Sequence, residues 1–181
     1  MAKIVLSNAH CKDAPGAFYN GTTEYDYSCK VNKIIKKLLE EMGHEVTIVD
    51  GGNGSATQTL KYKAKLINQI NPVAAIENHL NASDNPSASY GAEVIHYQGS
   101  TKGEKLAKNL SNRFSYLPVK QKGTTGRNDL YLLKSTRCPA VITEPFFFSH
   151  QVEQKLLEFN RGVDVVGKLI AEGINSWVTM I

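Results

Sequence analysis

The sequence predicts an α/β fold: a single domain with a mostly parallel, twisted sheet and helices on both faces. Three observations predict it. Short apolar runs alternate with longer stretches whose apolar residues recur every three or four positions, as in strands joined through helices. The strand-like runs are nearly continuous in apolar character, as strands covered on both faces must be. The length, 181 residues, suits one hydrophobic core.

In chain order, residues 3–7 (Lys-Ile-Val-Leu-Ser) read as a buried strand. Residues 24–42 read as a helix, because Val31, Ile34, Ile35, Leu38, Leu39 and Met42 fall on one face. Thr22 and Thr23 are candidate N-caps, and Gly43 stands where a left-handed cap belongs. Residues 45–49 form the next strand, 57–70 a helix stopped by Pro72, and 73–77 a third strand. After a polar loop, residues 92–97 alternate as a strand and 103–114 are helical. Residues 130–133 and 140–143 read as two more strands. A last helix spans 163–177 and packs through Val163, Val166, Ile170 and Ile174. No internal repeat or low-complexity linker divides residues 1–181.

Composition excludes several classes. Lys plus Arg is 21 and Asp plus Glu is 17, a net charge of +4. That suits an anionic partner but is too weak and too scattered for nucleic acid. The short clusters at Lys36-Lys37 and at 61–65 read as solvated surface. No apolar run reaches the roughly 18–20 residues of a membrane span, so no membrane insertion is expected. Cys11, Cys29 and Cys138 are an odd number without CxxC spacing, which argues against a disulfide scaffold and for a reducing compartment. The opening apolar run is too short for a signal peptide, so synthesis in the cytoplasm without its own export signal is expected.

In an open parallel sheet, ligands bind beyond the carboxyl ends of the strands. His10 follows the first strand, His79 the third, and Glu144 the run 140–143. Glu24 heads the first helix, on the same side of the sheet. Four residues distant in sequence therefore project to one rim. Two histidines and a carboxylate are a common catalytic zinc set, which leaves a fourth position for water. Zinc lowers the pKa of that water to about 7. A further carboxylate can take the proton and pass it to a leaving amine. His10, Glu24 and His79 fit the ligand roles for one Zn²⁺ per chain, and Glu144 fits the acid–base role.

The flanking residues carry a resemblance. Residues 3–10 (KIVLSNAH), Glu24 at a helix head, 75–82 (AIENHLNA), 91–94 (GAEV), 130–133 (LYLL) and 140–147 (AVITEPFF) come in that order. Together they resemble the zinc-dependent N-acetylmuramoyl-L-alanine amidases of the type-3 family, over nearly the whole chain. The compact form most resembles the catalytic domain of a phage endolysin. The resemblance implies a zinc hydrolase that cuts the amide between N-acetylmuramic acid and L-alanine in bacterial peptidoglycan, after release from the cell that makes it. It implies that residues 1–181 are the catalytic domain, with any C-terminal wall-binding domain absent or removed. Other readings on the same fold are a zinc amidohydrolase or exopeptidase of soluble peptides, and a wall-binding module without catalysis.

This chain departs from the family where Ser7-Asn8-Ala9-His10-Cys11-Lys12 replaces a glycine-rich Asp-Pro-Gly-His-Gly-Gly, and where Glu77 replaces a frequent serine. Glu77 either orients a ligand histidine or is a plain edge residue. Asn81 is expected to order the loop after His79 and is a candidate substrate donor. Cys11 reads as diverging from the metal, and Cys29 and Cys138 as small apolar packers. His44 reads as structural, His96 as a surface or half-buried strand residue, and His150 as the start of a helix outside the site. The run 146–148 (three phenylalanines) reads as core and cleft wall.

Overall fold

The computed structural model describes residues 1–85, 90–158 and 162–181. β1 (Lys3–Asn8) is followed by a small antiparallel ribbon of β2 (Phe18–Tyr19) and β3 (Thr22–Thr23). α1 (Glu24–Glu41) starts on Thr23: its hydroxyl accepts from the Asp26 amide while the Asp26 carboxylate accepts from the Thr23 amide. That reciprocal cap satisfies amides which a helix start leaves open. Gly43, at φ +85°, takes the left-handed turn after the helix.

Next come β4 (Glu45–Val49), α2 (Ala56–Ile70), β5 (Ala74–Asn78), β6 (Ala92–Tyr97) and α3 (Thr101–Phe114). β7 (Gln121–Arg127), α4 (Tyr131–Ser135), β8 (Ala140–Glu144), α5 (Gln151–Glu158) and α6 (Gly162–Val178) complete the order.

Six strands make one sheet in the order β4-β1-β5-β8-β6-β7. The first four run parallel; β6 is antiparallel to β8, and β7 runs parallel to β6. The carboxyl ends of β1, β5 and β8 therefore lie side by side on one rim. Strand parity then sorts side chains between two cores. Ile4, Leu6, Ala74, Ile76 and Val141 face α1, α3 and α6, whereas Val5, Ala75, Ala140 and Ile142 face α2 and α4. α6 approaches α1 and α3 closely: a Cβ on Gly167 would lie 2.7 Å from Ile34, and one on Gly173 2.7 Å from Leu110.

Four expectations need correction. Residues 130–133 are not a strand; α4 forms there, because Leu132 and Leu133 are both buried in the same core, which a strand's alternation forbids. β7 and the β2–β3 ribbon carry no strand signal in the sequence. β7 is a polar edge strand, and apolar periodicity reports burial rather than pairing. Lys63 is not solvated surface but 1% exposed. His96 is buried rather than at the surface, with Nδ1 3.0 Å from the Tyr97 carbonyl. Among the described residues, no helix is long and apolar enough to cross a membrane.

Candidate metal centre

The rim brings His10, Glu24 and His79 together. His10 sits just past β1 at φ +60°, an uncommon conformation for a side-chain-bearing residue. Its loop is tied to α1 where Ala9 N–H donates to Ser28 Oγ at 2.8 Å. Gly16 backs the ring so closely that a Cβ there would lie 2.5 Å from His10 Nε2 and 2.8 Å from Glu24 Oε2. A side chain there would be strained at φ +78° and would push His10 or Glu24 out of place. His79 follows β5 and donates its backbone N–H to the Thr143 carbonyl at 2.9 Å. Glu24, buried at the first turn of α1, lies between the two rings. Its Oε2 is 3.0 Å from His10 Nε2, and its Oε1 is 2.8 Å from His79 Nδ1. The positive end of the helix favours a carboxylate there.

One donor atom from each residue lies within 4.8 Å of the others. Zinc bonds of 2.0–2.2 Å in tetrahedral geometry hold donors about 3.3–3.6 Å apart. The donor chemistry, two imidazole nitrogens and a carboxylate, also suits zinc. The residues fit the metal.

Glu77 is not an edge residue. It is buried, with Oε2 3.2 Å from His79 Nε2. Its Oε1 accepts from Lys63 Nζ and, at 3.0 Å, from Ser7 Oγ. Lys63 Nζ also donates to the Asn8 carbonyl at 2.8 Å. On the other face of the same strands lies a neutral ladder. Thr143 Oγ1 donates to Asn78 Oδ1 at 2.6 Å, Asn78 Nδ2 to Asn32 Oδ1 at 2.6 Å, and Asn32 Nδ2 to Asn8 Oδ1 at 2.7 Å. The ladder ends where Asn8 Nδ2 donates to Asp50, which also accepts from the Tyr25 hydroxyl.

Glu144 ends β8, half-buried, and its carboxylate accepts from Asn81 Nδ2. The Asn81 backbone is pinned as well: its N–H donates to Phe146 and its carbonyl accepts from Phe148. Glu93 stands opposite Glu144 across the strand pair, held by Thr125 Oγ1 and, at 3.2 Å, Lys122 Nζ. A cavity of about 220 Å³ opens beside His10 and His79, walled by Leu60, Leu130 and Ile142.

The electrostatics follow from these contacts. Burial pushes the Glu24 carboxyl up, but bonds from His10 and His79 outweigh it and hold the group well below the usual carboxylate range. Glu77 is likewise burdened by burial, yet the Lys63 charge and the His79 bond hold it low. Burial works against a charged His79, but the flanking carboxylates, Glu24 first, raise it to about 10. Glu144 is raised, chiefly by burial and partly by Glu93 and Glu24, with the His79 charge opposing.

Other sequence candidates lie elsewhere. Cys11 turns its thiol to the Gly54 carbonyl, at 3.5 Å, and all three cysteines are free thiols. Cys138 packs against the smaller core, while Cys29 accepts from Asn8 Nδ2 at 3.3 Å and so borders the polar ladder. His44 pairs with Asn175 at 2.8 Å, and His150 stacks on Tyr90. Sequence reasoning misses Lys63, Asn32 and Asp50. Only Lys63 leaves a signal: with Thr59 and Ile67 it falls on the buried face of α2, a position where lysine is out of place.

Residues 4–176 match the family model described as N-acetylmuramoyl-L-alanine amidase. The chain belongs to that family. An uncharacterized Clostridium perfringens protein is 29% identical over 177 residues, covering 96% of this chain and 51% of its own length. The endolysin of Bacillus phage SPP1 is 27% identical over 179 residues, covering 96% of this chain and 65% of its own. This amidase-family chain thus spans about half to two thirds of those curated relatives. Among solved structures, the CwlD amidase from Clostridioides difficile, in complex with the GerS lipoprotein, matches with a TM-score of 0.90. At 22% identity, with each chain fully covered, that likeness speaks for the fold.

Proposed function

We propose that this chain is a zinc-dependent hydrolase of peptidoglycan. It cuts the amide between the lactyl group of N-acetylmuramic acid and L-alanine, as the catalytic part of an endolysin-type lytic enzyme that acts on the wall after release. The observation that carries the reading is the His10–Glu24–His79 donor set beside a raised carboxyl at Glu144, in a chain of this family. The endolysin role is supported by the phage relative.

His10, Glu24 and His79 would hold the ion. Bound there, zinc supplies Lewis-acid chemistry, polarising an amide carbonyl and lowering the pKa of water. Glu144 does the proton work. As a carboxylate steadied by Asn81, it takes a proton from the attacking water while the new C–O bond forms. It then hands that proton to the alanine nitrogen as the C–N bond breaks, which leaves a carboxylic acid and an amine. A pKa above the ordinary carboxylate value suits a group that must both accept and return a proton. The cavity beside the histidines offers room for part of the substrate. The net charge of +4 favours approach to an anionic wall.

The test is digestion of purified peptidoglycan with the zinc-loaded chain, with new amino termini identified. L-alanine termini from wall, and none from short soluble peptides, are the expected result; the reverse pattern identifies an exopeptidase instead. Glu144→Gln is expected to keep stoichiometric zinc while lysis falls by about 10²–10⁴-fold, the range for a lost acid–base group. His79→Ala is expected to lose the zinc as well.

A further inference from the structure

We infer that Lys63 and Glu77 are positioning residues for the metal centre: they fix which nitrogen of His79 faces the ion and lock the spacing of the two histidine-bearing strand ends. The inference rests on the proposed zinc site. Four observations support it.

First, both ring nitrogens of His79 are committed. Nδ1 faces Glu24, and so the donor set, while Nε2 faces Glu77 Oε2 at 3.2 Å. An acceptor on Nε2 keeps the proton on that nitrogen and leaves the Nδ1 lone pair for the cation. Carboxylate partners of this kind set the tautomer and orientation of ligand histidines.

Second, Lys63 bridges two neighbouring strands at points one register step apart. It donates to the Asn8 carbonyl and to Glu77. Asn8 stands two residues before His10, and Glu77 two before His79. β1 and β5 are paired there, Ser7 opposite Glu77 and Asn8 opposite Asn78. One ammonium group therefore ties both ligand-bearing ends at the same distance from their ligands.

Third, every polar contact of Glu77 is specific. Oε1 takes Lys63 and Ser7, and Oε2 is left for the imidazole. Fourth, the pair is buried, at 1% and 2% side-chain exposure. A buried ion pair contributes little net stability compared with well-packed apolar residues. Its placement is explained by what the carboxylate does to His79.

Two double variants separate positioning from mere packing. Both Lys63→Met/Glu77→Leu and Lys63→Met/Glu77→Gln abolish the buried charges, and only the second keeps an acceptor for Nε2–H. Zinc affinity is measured by competition with a chromophoric chelator, and apo-state thermal midpoints check the fold. The leucine variant is expected to bind zinc about 10- to 100-fold more weakly than wild type, the range for losing such a partner, with the glutamine variant between the two, because it keeps the acceptor for Nε2–H but lacks the Lys63 tie. A glutamine variant equal to wild type removes Lys63 from the inference. In zinc-loaded wild type, ¹⁵N spectra are expected to show His79 metallated at Nδ1 and protonated at Nε2. Equal zinc affinity in the two double variants, or metallation at Nε2, overturns the inference while the zinc site stands. A wild-type chain that takes up no zinc overturns both.

Discussion

β1 and β5 carry buried polar groups on both faces, and the two faces handle them differently. Toward α1, Asn8, Asn32, Asn78 and Thr143 form a chain of neutral hydrogen bonds in which each group satisfies the next. Toward α2, Ser7, Lys63 and Glu77 form a charged cluster. The neutral ladder is an inexpensive way to end strands under a cleft, because its four members carry no charge and the carboxylate at its end, Asp50, stays partly exposed. The charged cluster must overcome a desolvation penalty of several kcal/mol per ion. The sheet builds the same rim both ways, which teaches that charge is placed where a particular neighbour, His79, needs an oriented carboxylate.

The sharpest way to break this comparison is to remove one buried charge. Lys63→Ala leaves Glu77 with the His79 imidazolium as its remaining cation and is expected to destabilise the zinc-free chain by about 3 kcal/mol, the low end of the range for breaking a buried pair, read from urea unfolding. Wild-type stability in that variant would show that the cluster is solvated, unlike the ladder. The matching cut on the other face is Asn32→Ala. It leaves Asn8 Oδ1 and Asn78 Nδ2 without their partner, at an expected cost of about 1–3 kcal/mol. Zinc affinity should change far less there than on loss of the Glu77 acceptor. If Asn32→Ala weakens zinc as much, the division of labour between the faces fails.

The smallest expected effect is a pH dependence set chiefly by His79 and the two carboxylates that flank it. His79 is raised from 6.5 to about 10, so its contribution in the metal-free chain is complete below pH 6.5 and lost as pH climbs toward 10. Glu24 and Glu77 are lowered from 4.5, so theirs is complete above that value and lost on acidification. Thermal midpoints in chelator should therefore be highest between about pH 4.5 and 6.5 and decline on either side. Saturating zinc should flatten the alkaline decline, since the ion replaces the Nδ1 proton. A chelated midpoint that stays level from pH 6.5 to 10 contradicts the charged arrangement around His79.

Much of the rim is legible in the amino-acid sequence. His10, His79 and Glu144 each follow a run of apolar residues, and Glu24 follows a recognisable cap, so their placement needs only strand periodicity and a topology rule. β7 is not legible, because an edge strand reading Gln-Lys-Gly-Thr-Thr-Gly-Arg buries no apolar stripe. α4 reads as a strand because four apolar residues are too few to separate the period of a helix from that of a strand. Lys63 reads as surface because three alternating lysines at 61, 63 and 65 look alike in sequence, although only the middle one faces the sheet.

The sequence by itself determined the α/β class, the order of the main elements, and which four side chains end at the rim. Those follow from local hydrophobic period and capping chemistry, which act over a few residues. The tertiary structure alone decided that Glu24 lies between the two imidazoles, that Glu77 turns toward His79, and that Lys63 reaches both strands. Each depends on strand parity and on register between segments as far as 70 residues apart, such as Ser7 and Glu77. No local pattern encodes those contacts, because they form only when helices and strands pack together.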